Sequence, residues 1–136
     1  LSDKKPLKVI LDSNFLFIPS QFTIDIFEEL GRVLNRSFEP ILLSPTITEL
    51  QRVSKSKSPK LQKQATIALK LTGRCRRINV EKDPRESYDD LILRVASKEK
   101  WCVATNDRIL RRRLRKENVP VIYLRQKSHL IAEGNV

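Results

Sequence analysis

Asp12, Glu49, Asp89 and Asp107 each stand where an apolar run stops, in VILDSNFLF, PTITELQ, SYDDLIL and VATNDRIL. A carboxylate stranded beside apolar chain is costly unless folding gives it a partner, so acids placed this way point to an assembled site. Four carboxylates within a few ångströms would repel one another and raise one another's pKa unless cations neutralise them. Oxygen-only ligands favour Mg²⁺ or Mn²⁺ over zinc, and the sequence offers no His/Cys cluster as an alternative. One divalent ion leaves such a cluster negative, whereas two bring it near neutrality. Two ions roughly 4 Å apart would suit in-line attack of water on a phosphodiester.

Each acid also has a plainer explanation. Glu49 with Thr46 fits a capping box, although Ser44-Pro45 is the better helix start. Asp107 suits the positive end of a helix dipole, and Asp12-Ser13 suits a turn. Asp89 and Asp90 diverge by about 100° on a helix, so one of them faces elsewhere. Asp90 precedes Arg94 by four residues and fits an exposed ion pair, which favours Asp89 as ligand and leaves Asp90 as the alternate.

The elements that must carry these acids alternate. LKVILD (7–12) reads as a strand buried on both faces, and SNFLFIPSQ as an irregular stretch stopped by Pro19. Thr23, Ile26, Phe27, Leu30 and Leu34 recur at helical spacing; 41–43 is a brief strand. Ser44-Pro45 and Ser58-Pro59 start two further helices, the second ending near Gly73. Strands at 75–80, 101–104 and 121–124 flank helices beginning near Tyr88 and at Arg108. Alternation of this kind predicts a parallel sheet covered on both faces, with ligands bound beyond the carboxyl ends of its strands. One domain spanning 1–136 is expected, with roughly the last ten residues a flexible tail.

Lys and Arg number 27 against 16 Asp and Glu, a formal charge of +11 with a pI near 10.1. That balance favours a polyanionic partner, nucleic acid first. No basic segment carries the large apolar residues that membrane insertion needs, no apolar run reaches spanning length, and LSDKKPLK has no signal-peptide core. Cys75 and Cys102 read as core residues of a reducing compartment, hence a cytoplasmic location. Arg108, Arg111, Arg112 and Arg115 share one helix face just after Asp107, opposite Leu110 and Leu114, and suit the phosphates flanking a scissile bond. Arg113 and Lys116 broaden that surface. The aromatics form no evident stacking platform, and His129 is read as incidental.

In order and placement, Asp12, Glu49, Asp89 and Asp107 resemble the acidic set of the PIN-domain ribonucleases. DSNFLFIPSQFTIDIFEEL, SYDDLILRVA and CVATNDRILRRRLRKENVPVIYL look most like the branch containing the small-subunit-processome endonuclease that cuts precursor ribosomal RNA, and its stand-alone archaeal relatives. The resemblance covers nearly the whole chain. It implies a three-layer α/β/α fold with a central parallel sheet, and a Mg²⁺- or Mn²⁺-dependent endoribonuclease holding two ions. It further implies that Thr105 and Asn14 orient water or a carboxylate rather than bind an ion. Precursor ribosomal RNA or another structured RNA is the implied partner, and relatives often form homodimers. Two rival readings stand beside this one, a toxin nuclease of a toxin–antitoxin pair and a non-catalytic RNA-binding ribosome-assembly factor. A phospho-receiver domain has similar topology, but its late lysine at a strand end is not evident.

Overall fold

The computed structural model describes residues 5–136; the first four residues of the LSDKKPLK segment lie outside the described residues. Six strands form one sheet: β1 (Leu7–Leu11), β2 (Phe38–Leu43), β3 (Arg76–Ile78), β4 (Cys102–Ala104), β5 (Val121–Arg125) and β6 (His129–Glu133). Their order is β3-β2-β1-β4-β5-β6, parallel throughout except for the antiparallel β5–β6 pair. The chain works outward from β1 to β3, then returns to the other side of β1 with β4. Strand order therefore reverses between β1 and β4, and a crevice opens there at the carboxyl edge.

Alternation along the strands divides the core. Val9, Leu11, Leu42, Cys102 and Ala104 face one layer of helices: α1 (Ser13–Leu16), α2 (Ile18–Phe22), α3 (Ile26–Leu34), α4 (Ser44–Val53) and α5 (Pro59–Leu71). Ile10, Ile41, Leu43, Val103 and Val121 face the other layer, α6 (Tyr88–Glu99) and α7 (Arg108–Lys116). A strand covered on both faces must be apolar at consecutive positions, which is why LKVIL and PILL read as continuous runs. The result is the expected α/β/α arrangement of three layers around a largely parallel sheet.

Three local expectations are revised. SNFLFIPSQ is helical rather than irregular: Pro19 lies within the first two residues of α2, where its missing N–H costs nothing. Ser44 opens α4 as its first helical residue, with Leu43 in the cap position. Its hydroxyl instead bridges Val80, accepting from Val80 N–H at 3.1 Å and donating to Val80 C=O at 3.2 Å. The supposed tail is a strand. β6 runs back along β5 from Leu124↔Leu130 to Val121↔Glu133, burying Leu130. Glu29 and Arg32 of α3 hold its other side, through Leu130 N–H to Glu29 Oε1 (3.3 Å) and Arg32 Nη2 to Leu130 C=O (3.0 Å). Among the described residues no helix is long and apolar enough to cross a membrane.

Candidate active site

Asp12 is the first residue beyond β1, and only 4% of its surface reaches solvent. Its N–H donates to Ala104 C=O at 3.0 Å, continuing the β1–β4 ladder and placing the side chain over the crevice. Oδ1 accepts from Ser13 N–H at 2.8 Å, capping α1, so the turn-forming explanation holds for one oxygen. Oδ2 accepts from Thr105 Oγ1 at 2.8 Å and Asn14 Nδ2 at 3.1 Å. Burial pushes this carboxyl up to about 6, against the Thr105 hydrogen bond and with the added repulsion of Asp89 and Glu49.

Thr105 joins two of the acids. Its hydroxyl donates to Asp12 Oδ2 and accepts from Asp107 N–H at 3.0 Å. Asn14 Oδ1 accepts from Asn106 N–H at 3.0 Å, and Asn106 Oδ1 accepts from Leu124 N–H at 2.9 Å. The loop after β4 is thereby tied to α1 on one side and to β5 on the other. Asn106 escapes notice in the sequence; its only signal is an Asn in a loop between strand and helix, where side-chain to backbone bonds are common.

Asp107 caps α7: Oδ1 accepts from Ile109 N–H at 2.9 Å and Leu110 N–H at 3.0 Å. Its helix-end explanation is therefore realised, yet Oδ2 takes no protein donor among the described residues. Asp89 lies half-buried in the first turn of α6. Burial raises its pKa, Asp107 raises it further and Arg113 opposes both, with smaller repulsion from Asp90 and Glu49. Glu49, half-buried on α4, is thus felt by Asp12 and Asp89 alike. Four acids from four parts of the chain share one electrostatic neighbourhood at the crevice. The capping box expected for Thr46 and Glu49 does not form; Thr46 is buried inside α4.

Asp90 is engaged elsewhere, and not with Arg94. It completes a capping box with Ser87 and accepts from Arg113 Nη2 at 2.7 Å, which holds its carboxyl below the usual range. Arg94 pairs with Glu86 at 2.8 Å instead. Helical divergence aims Asp89 and Asp90 apart, and Asp90 spends its oxygens on the helix end and on α7.

The donor set is all oxygen, and its members repel one another in a partly desolvated crevice, the chemistry that a hard divalent cation relieves. Among the described residues, no three His, Cys, Asp or Glu side chains stand close enough to clasp one ion together. Mg²⁺ fits such a rim by taking one or two carboxylates and retaining water elsewhere.

The α7 arginines differ from one another. Leu110 and Leu114 are fully buried, fixing the helix on the sheet and turning its basic side outward. Arg108, Arg111, Arg112 and Arg115, with Lys116, line a cleft of about 590 Å³ whose other wall is Tyr123 and Glu133. The Arg111 guanidinium lies 3.7 Å over the Tyr123 ring. Arg115 donates to Val119 C=O at 3.2 Å and rests against Gly134, whose φ of +101° and missing Cβ make the space. Tyr123, Glu133 and the Arg113 pairing are not apparent from sequence spacing, because each depends on which strand or helix lies beside α7. The His129 ring Nδ1 lies 2.9 Å from Ser128 Oγ.

A family profile described as a PIN like domain matches residues 9–127. The chain is 33% identical over 130 residues to "Ribonuclease VapC4" of Methanocaldococcus jannaschii, covering 95% of this chain and 98% of that protein. It is 31% identical over 126 residues to the "rRNA-processing protein utp23" of Schizosaccharomyces pombe, covering 90% of this chain but 47% of that relative, about half its length. The solved structure of the PIN domain endonuclease Utp24 superposes with a TM-score of 0.81 at 27% identity, covering 96% of this chain and 94% of that one.

Proposed function

Because the chain belongs to the PIN-like domain family, we propose that it is a Mg²⁺- or Mn²⁺-dependent endoribonuclease acting on structured RNA, with precursor ribosomal RNA the favoured substrate. The observation that carries this reading is Asp12: a buried carboxylate at the strand-order reversal, hydrogen-bonded by Thr105 and repelled by two further acids. Asp12, Glu49, Asp89 and Asp107 are the residues that would hold the cation, a pair of ions being the arrangement that best offsets four charges. When bound, the cation supplies Lewis-acid charge that favours attack of water on the phosphodiester and steadies the departing oxygen.

The chain's own residues do the rest. Thr105 and Asn14 fix the Asp12 carboxylate, and Asn106 fixes Asn14. Asp107 stays in register because α7 is built on its cap. Arg108 follows Asp107 directly and holds RNA backbone where α7 begins; the +11 charge favours encounter with any RNA. Similarity to an rRNA-processing protein supports the ribosomal substrate, and similarity to a PIN domain endonuclease supports cleavage. The free Cys75 and Cys102 support a reducing compartment, the cytoplasm. Self-association into a homodimer, common among relatives, is compatible with this reading and not required by it.

Asp12→Asn or Asp107→Asn is expected to abolish Mn²⁺-stimulated cleavage of structured RNA while RNA binding persists. Undiminished cleavage by either purified variant would sink the assignment. The toxin-type reading draws support from the VapC relative, which this chain matches over nearly its full length. Growth arrest on expression, relieved by Asp12→Asn, would favour that reading; tight RNA binding without any cleavage would favour the assembly-factor reading.

A further inference from the structure

The cleft between α7 and the β5–β6 hairpin differs from a solvated basic face in three respects. Five cationic side chains converge on it against a single carboxylate, Glu133. Arg111 is laid flat on Tyr123, so its guanidinium is placed before any ligand arrives. Arg111 Nε is also buried without a hydrogen-bond partner among the described residues, a donor that the stack on Tyr123 leaves unsatisfied. An orphaned donor among uncompensated cations calls for an anion.

Charge decides what kind. A single phosphate leaves most of this excess standing, whereas successive phosphates of one strand can meet it along the length of the helix. Residues 108 to 116 span about 12 Å of helix axis, so the cleft leads away from Asp107 rather than ending at the acids. Arg115 is anchored to Val119 and Arg111 to Tyr123, which leaves Arg108, Arg112 and Lys116, all exposed; Arg112 and Lys116 lie furthest from the acids.

The geometry points to a second RNA site: the α7 cleft binds the phosphate backbone of the strand at a distance from the carboxylates, centred on the Arg111–Tyr123 stack, and needs no divalent cation. It rests on the proposed RNA substrate and extends it, separating a site that grips from a site that cuts. Such backbone contacts add affinity without reading sequence.

The test is binding of a fluorescein-labelled 20-nucleotide RNA to Asp12→Asn protein in EDTA, across a salt series. Asp12→Asn is expected to bind without metal. Adding Arg112→Ala and Lys116→Ala is expected to weaken binding on the order of tenfold and to flatten the log–log salt slope by about 1.4, at ~0.7 per lost phosphate contact. Both side chains are exposed, so the fold should survive. Arg111→Lys keeps the charge but loses the stack, and is expected to raise Kd with the slope retained. Kd and slope unchanged in the double substitution overturn the inference, even where wild type cleaves RNA in Mn²⁺. RNA gripped through the cleft by a protein that never cleaves upholds it while removing the nuclease reading. Polyglutamate competing as well as an RNA of matched charge reassigns the cleft to an acidic protein segment and overturns it.

Discussion

Replacing Asp12 by Asn is expected to stabilise the cation-free protein at neutral pH. Burial lifts this carboxyl from its usual 3.8 to about 6, so the native state holds its proton more tightly than the unfolded chain. Between those values the folded protein binds more protons than the unfolded one, and stability falls as pH rises through the window. Above it the ionised carboxylate costs the fold about 3 kcal/mol, at 1.36 kcal/mol per tenfold change in proton affinity. Asn removes that cost but cannot accept on both sides. One oxygen of Asp12 serves Ser13 N–H and the other serves Thr105 and Asn14, so an amide NH₂ must face a donor, at about 1 kcal/mol. The net gain is about 2 kcal/mol, on the order of 6 °C in Tm for a chain of this length. Thermal melts in EDTA at pH 7.5 and pH 4 read this directly. The variant should melt higher at pH 7.5 and lower at pH 4, where the charge is gone and only the amide penalty remains. Mn²⁺ should raise the wild-type Tm at pH 7.5 and do far less for the variant. A variant that melts below wild type at pH 7.5, or a difference that ignores pH, refutes the argument that burial strains this carboxylate.

The same titration should appear in catalysis: at low Mn²⁺, cleavage rises as pH passes through about 6 and Asp12 ionises, and saturating cation moves the rise to lower pH, seen in a pH–rate series. Asp89→Asn is expected to abolish cleavage, whereas Asp90→Asn, which loosens an exposed pair to Arg113, should leave the urea midpoint nearly unchanged and spare turnover. Asp107→Ala loses both cap and charge, while Asp107→Asn retains the cap; the two should be equally inactive but differ by about 1 kcal/mol in stability. Gly134→Ala places a Cβ against Arg115 in a left-handed conformation, and should cost roughly 1–2 kcal/mol in a melt.

Much of this was legible from residue order. Continuous apolar runs announce strands covered on two faces, and the helical stripes of α3 and α6 carry their own caps. Asp12, Asp107 and Thr105 are readable because strand ends in a parallel sheet face a common edge. What stayed hidden depends on neighbours that sequence does not pair. The hairpin into β6 turns on Gln126 and Lys127, both at positive φ, where no Gly or Asn signals a turn. Without that strand, Glu133 has no evident relation to α7. The two short helices after Asp12 are too brief for periodicity to register, and Pro19 looked like an end rather than a beginning. Asp90 shows the limit most clearly. Its i, i+4 spacing to Arg94 is sound local chemistry, but a guanidinium from another helix and the helix's own end outcompeted it.

The grip of α3 on β6 bears on how copies of this protein can meet. An outermost strand offers unpaired backbone groups on which another chain can add a strand. Here Glu29 takes the outward N–H of Leu130 and Arg32 its C=O, while the two side chains also pair with each other at 3.0 Å. At the opposite margin, β3 is three residues long and presents Arg76 and Arg77 to solvent. Both margins are thus poor templates for strand addition, one plugged by an ion pair and the other short and cationic. Runaway edge-to-edge aggregation is disfavoured, and any specific pairing of two copies is directed to the helical faces.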